Sequence, residues 1–113
     1  MAIVKYGRYV SNVSGTTNTM TKVFDPSVNE AGAVIRTLTL SINGNGAVWL
    51  HTGPTTPVQQ DVNSKIVFRV DGNPSMLNSR TMPYEVELPP GYGLWIYTSS
   101  AQSSGVNMSY DLY

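Results

Sequence analysis

Residues 32–52 read GAVIRTLTLSINGNGAVWLHT. A long run of aliphatic and β-branched residues, 33–42, is followed by Asn43-Gly44-Asn45-Gly46 and by a returning run, 47–52. Asn-Gly between two runs of β-formers is the strongest short-range hairpin signal, because the favoured two-residue turns need positive φ at their central positions. Here the signal is doubled, which leaves the register open by a residue or two. The stretch predicts an antiparallel hairpin and, with it, a β protein. Along 33–42, Val34, Leu38, Leu40 and Ile42 share one face, opposite Ile35, Thr37, Thr39 and Ser41. Arg36 falls on the apolar face, where its stem can pack at the rim of a core while the guanidinium reaches water or a carboxylate. In the returning run Val48, Trp49 and Leu50 are consecutive apolar residues, so both faces of that strand are expected to be covered. One cover is the core; the other is a loop or a neighbouring subunit.

The pattern repeats outward in both directions. Helical periodicity is absent, while period-two alternation recurs about every ten residues between turn signals. A first strand is expected over 2–6 and on to Val10, followed by a polar stretch over 11–18 that forms a flexible loop or an edge excursion across the sandwich. The next strand, 19–24, stops at Asp25-Pro26, since proline lacks the donor a ladder needs. Residues 27–31 then form a turn or a single helical turn. After the returning run, Gly53-Pro54 opens a connection to Asn63 whose length suits a Greek-key crossing between sheets. Residues 65–70 place Ile66, Phe68 and Val70 inward, and 76–81 read as an irregular connection. Residues 84–88 set Tyr84, Val86 and Leu88 against Glu85 and Glu87. In 92–98, Leu94 and Ile96 face the core while Trp95 and Tyr97 face away. A Ser-rich turn over 99–105 leads to a last strand, 106–113. About eight strands and no significant helix define an all-β, antiparallel β-sandwich of jelly-roll type. At 113 residues it is a single domain over 1–113.

Composition excludes several function classes. Seven Lys plus Arg balance seven Asp plus Glu, so the cationic excess that phosphate backbones demand is missing. Zero formal net charge suits a protein that lives assembled, because copies do not repel one another. Without cysteine, neither disulfides nor thiolate metal sites are possible. No apolar run approaches the roughly 18 residues of a membrane helix. The opening AIVKYGRYV carries Lys5 and Arg8 and is too short for a secretory leader, so synthesis in a cytoplasm is expected.

No set of residues names a reaction, and none is expected to be catalytic, to bind a cofactor or to hold a metal. His51 is the single histidine, so any triad or multi-histidine metal site would rest on it alone. Glu85 and Glu87 lie two apart on one face, whereas glycosidase carboxylates flank a substrate from different elements; a salt-bridged surface, with Arg69 or Lys65 opposite, fits them better. Asp25, Asp61, Asp71 and Asp111 lack the spacing of a calcium loop, and turn aspartates bond their own backbone. What remains is a set of rings: Trp49, Trp95, Tyr97 and Tyr113. Trp95 and Tyr97 lie opposite the core-facing Leu94 and Ile96, so they are buried on both sides within the domain, covered by another protein, or used as a stacking platform for sugars.

The combination of VFDPSVNEAGAVIRT, the repeated-glycine turn, LPPGYGLWIYT and the terminal YDLY resembles small jelly-roll or β-sandwich structural proteins of tailed bacteriophages, such as capsid decoration proteins and head-fibre or tail-fibre domains. Pro90, Gly91, Gly93, Leu94 and Trp95 fill the turn that leads into a hydrophobic strand in such proteins. The resemblance implies a non-enzymatic virion component, made in the host cytoplasm, that self-associates, with a homotrimer favoured, and docks on the major capsid protein or other virion proteins. Neither nucleic acid, membrane nor cofactor is expected as a partner. The alternative is a carbohydrate-binding module that uses the same rings on a host glycan.

Overall fold

The computed structural model describes residues 7–14, 19–57, 65–72, 77–98 and 103–113. The expected first strand over 2–6 lies outside these residues. Among them the chain forms nine strands and one short 3₁₀ turn. The strands are β1 (Tyr9–Ser14), β2 (Thr19–Phe24), β3 (Ala33–Asn43), β4 (Ala47–Gly53), β5 (Lys65–Asp71), β6 (Leu77–Thr81), β7 (Val86–Leu88), β8 (Gly93–Thr98) and β9 (Ser103–Leu112); the turn is Pro26–Val28. A five-stranded sheet has the order β1-β9-β3-β6, with β7 also pairing β3, and a four-stranded sheet has the order β2-β8-β4-β5. All pairings are antiparallel. The fold is the expected all-β sandwich.

The core lies between the sheets. Leu38, Leu40 and Ile42 of β3, Leu50 of β4, and Leu94 and Ile96 of β8 are each no more than 1% exposed. Burying a side chain of this size contributes about 1.5–3 kcal/mol. Val106, Met108 and Tyr110 complete the layer from β9, with the alternation the sequence predicts.

The expected hairpin is absent. β3 pairs with β9, β6 and β7, whereas β4 pairs with β8 and β5, so Gly44, Asn45 and Gly46 arch from one sheet to the other. Gly44 and Gly46 do have the positive φ that a turn here requires, 94° and 129°. Positive φ permits a tight reversal, but it does not choose between a reversal closed by ladder hydrogen bonds and one closed by core packing. The Gly72 amide donates to the Gly46 carbonyl at 2.8 Å, tying the arch to the end of β5. The long connection after β4 also departs from expectation. The strands it joins, β4 and β5, are neighbours in one sheet.

A bulge in β3 and another against β5 reset the faces there, and a third lies in β2 between Lys22 and Phe24. In the β3–β9 ladder Ile35 pairs with Tyr110 and Thr37 with Ser109, so Arg36 is the extra residue. A bulge shifts the side-chain parity. Ile35 therefore points into the core before it and Leu38 after it, and Arg36 turns outward instead of lying on the apolar face. The second bulge, against β5, leaves Ile66 44% exposed while Val67 and Phe68 pack toward the core.

β6 was not expected, because Leu77-Asn78-Ser79-Arg80-Thr81 carries no apolar alternation. β1 begins within the expected first strand and runs on to Ser14, taking up the edge excursion and not the loop over 11–14. Both are edge strands, β1 paired to β9 and β6 to β3.

Candidate binding surface

Three of the four predicted rings lie on the outer side of the four-stranded sheet, inside the chain's own cover. Trp49 and Trp95 are 2% exposed and Tyr97 is 5% exposed. Trp49 and Tyr97 are cross-strand partners with ring centroids 5.3 Å apart, and they pack with Ala47 and Met20. The Arg69 guanidinium of β5 lies 4.7 Å from the Trp49 ring centroid, a cation–π contact that closes one flank. Trp95 is covered by the turn after β2. A methyl group built on Gly93 would meet the Trp95 ring edge at 2.6 Å and Pro26 Cδ at 2.7 Å. These rings therefore offer neither a docking face nor a sugar platform. The physical reason is that the wall around them comes from Pro26, Arg69 and Met20, which are distant in sequence from β8.

His51 belongs to the same layer. It is 0% exposed, pairs in register with Trp95, and has its ring centroid 6.5 Å from that of Trp49. Desolvation holds its pKa below the ordinary 6.5. This is a structural histidine, out of reach of a solvent-borne substrate.

The fourth ring is exposed. Tyr113 is 59% accessible at the end of β9. Its amide donates to the Gly32 carbonyl at 2.9 Å, and its hydroxyl donates to Glu87 Oε1 at 3.0 Å. The bond to Glu87 raises the phenol pKa above 10.0. With Gly32, Glu87, Leu88 and Pro90, the ring walls a hollow of about 320 Å³.

A polar network continues from there along the outer surface of the five-stranded sheet. Arg36 Nε donates to Asp111 Oδ2 at 3.0 Å and Arg36 Nη1 to Glu85 Oε2 at 2.7 Å. The hydrogen bonds to Asp111 and then Glu85 raise the guanidinium pKa, fixing its charge. Asp111 also accepts the Arg8 amide at 2.7 Å, which fastens β1 to this corner. Glu85 and Glu87 are thus held by Arg36 and Tyr113, while Arg69, one of the two cations expected opposite them, pairs with Asp71. Beyond Glu85 a second hollow, about 230 Å³, is lined by Arg36, Thr37, Thr39, Thr81 and Tyr84. Tyr84, expected to point inward with Val86 and Leu88, is 72% exposed and precedes β7. Pro83 was the available sign, because a proline at that point interrupts the ladder.

Among the described residues no group of three or more His, Cys, Asp or Glu is arranged to hold a metal ion. No known protein family, curated protein sequence or solved structure matches this chain.

Proposed function

We propose that the chain is a non-enzymatic structural protein, a component of a virus particle whose copies associate with one another and dock on other virion proteins. The observation that carries this reading is the bare edge of β1. Its sequence, YVSNVS, contains no charged residue and no proline. The other edge strands are guarded: Lys22 lies in β2, Lys65 and Arg69 in β5, Arg80 in β6 and Glu87 in β7. Charges and prolines are the usual means of preventing unwanted pairing at an edge, so an edge without them is a template for another strand. Tyr9 and Val10 stand 40% and 50% exposed along it, and among the described residues no strand pairs with its outer side.

Further support comes from three directions. We read the orders β1-β9-β3-β6 and β2-β8-β4-β5 as those of a jelly roll, an architecture found in viral capsid domains. Zero formal net charge removes long-range repulsion between copies. The sequence also resembles phage structural proteins. One bare edge per copy pairs isologously, so two copies form the smallest closed assembly; the trimer expected from the resemblance needs a second, different contact.

The test is sedimentation velocity over a range of concentrations, on the native chain and on Val10→Lys, which places a cation on the edge without touching the core. Association of the native chain and a monomeric, folded Val10→Lys variant are expected. A native chain that sediments as a monomer throughout overturns the proposal.

A further inference from the structure

The polar corner formed by β3, β7 and the end of β9 has the makings of a ligand site, independent of the bare edge on the other side of the sheet. We infer that the surface running from Tyr84 past Glu85 and Glu87 to Tyr113 binds a neutral saccharide. Two aromatic rings, 72% and 59% exposed, flank a row of carboxylates, and each walls its own hollow. An aromatic ring with a polar tip is the side chain suited to a ligand with one apolar and one hydroxylated face. The C–H face of a pyranose packs on such a ring while its hydroxyls reach hydrogen-bonding groups at the margin.

Those groups are present and already oriented. Glu87 is fixed by the Tyr113 hydroxyl and Glu85 by Arg36. Thr39 and Thr81 bring their hydroxyl oxygens to 3.2 Å at the far side of the smaller hollow. Tyr113 is held at both its amide and its hydroxyl, so its ring face needs little ordering on binding. Hollows of about 320 and 230 Å³ lie at or below the lower end of small-molecule sites, a size that takes one or two sugar units and no larger rigid ligand.

Charge decides the class of sugar. Within the described hydrogen-bond network, Glu85, Glu87 and Asp111 outnumber the guanidinium of Arg36, which is itself engaged by two of the three. A sialylated, sulfated or uronic acid ligand would be repelled by this excess. A neutral hexose meets carboxylate acceptors for its hydroxyls.

The test is a glycan array of neutral and acidic oligosaccharides probed with the labelled full-length chain, followed by a ¹H–¹⁵N NMR titration with the best neutral glycan. Neutral glycans are expected to bind, with shifts concentrated at residues 84–87 and 113. Tyr84→Ala and Tyr113→Ala should each weaken binding by about tenfold or more. Both rings are mostly solvent-exposed, so the variants should keep the native melting midpoint, and Val10→Lys should bind as the native chain does. An array on which nothing binds, binding confined to acidic glycans, or affinity that survives both tyrosine substitutions overturns the inference.

Discussion

Arg36 and Asp111, 75 positions apart in the chain, meet at 3.0 Å where β3 bulges against β9. The bulge makes the contact possible. Without the extra residue, parity would send the guanidinium into the core. With it, one side chain joins β3 to β9 through Asp111 and to the approach of β7 through Glu85.

This joint predicts a pattern among variants. Arg36→Gln should lower the melting midpoint, and Arg36→Lys should recover only part of it, since an ammonium lacks the planar fork that serves two carboxylates at once. In an Arg36→Gln, Asp111→Asn double variant the loss should be smaller than the sum of the single losses, because Asp111 is no longer a charge left without its cation. Thermal unfolding of the set checks this, and additive losses would show that the two groups do not couple.

Gly93 should refuse any side chain. A Cβ there would lie 2.6 Å from the Trp95 ring, 2.7 Å from Pro26 Cδ and 3.0 Å from the Phe24 carbonyl oxygen. Gly93→Ala is therefore expected to cost about 1–3 kcal/mol by overpacking and to loosen the cover over Trp95. Urea unfolding gives the first quantity; tryptophan quenching by acrylamide reports the second.

The two tryptophans of the chain are both 2% exposed. Their emission in the native protein should be blue-shifted and poorly quenched by iodide, as for indoles away from water. Trp49→Ala should destabilise the fold by about 3–5 kcal/mol, the usual loss for a large buried ring. Strong iodide quenching would contradict the cover described for the outer face.

Stability should fall on mild acidification because of His51. Burial holds its folded pKa below the ordinary 6.5, while the unfolded chain titrates near 6.5. Below that pH the unfolded state binds a proton that the folded state refuses. The contribution is thus complete above about 6.5 and is lost as pH falls toward the folded value, with a slope of at most about 1.4 kcal/mol per pH unit. Unfolding curves at stepped pH should show this slope, and His51→Gln should remove it. An NMR titration placing the His51 pKa above 6.5 would contradict the assignment.

The strands that were legible in the sequence have one face on the core and a firm stop. β2 ends where Asp25-Pro26 ends it, and β8 and β9 show the alternation of Leu94 with Ile96 and of Val106 with Met108. Pairing partners were not legible. Gly44 and Gly46 specify a reversal, but whether β4 lies beside β3 or across the core from it depends on β8 and β9, far along the chain. A single bulge residue inverts the faces of everything after it, which is why strict alternation puts Arg36 on the apolar face and the structure does not. The outward orientation of Trp95 and Tyr97 is legible in the sequence; which of the three expected covers they have is not, because Pro26, Arg69 and Met20 reach them only through tertiary contact. Of the four candidate rings, Tyr113 alone is exposed.

Amide hydrogen exchange as a function of protein concentration tests the bare edge of β1 most directly. If copies pair along it, the outward-facing amides of Tyr9–Ser14 should gain protection as concentration rises, while those of the guarded edges β2 and β5 stay unchanged. Amides of β1 that exchange at one rate at every concentration would contradict self-association through this strand.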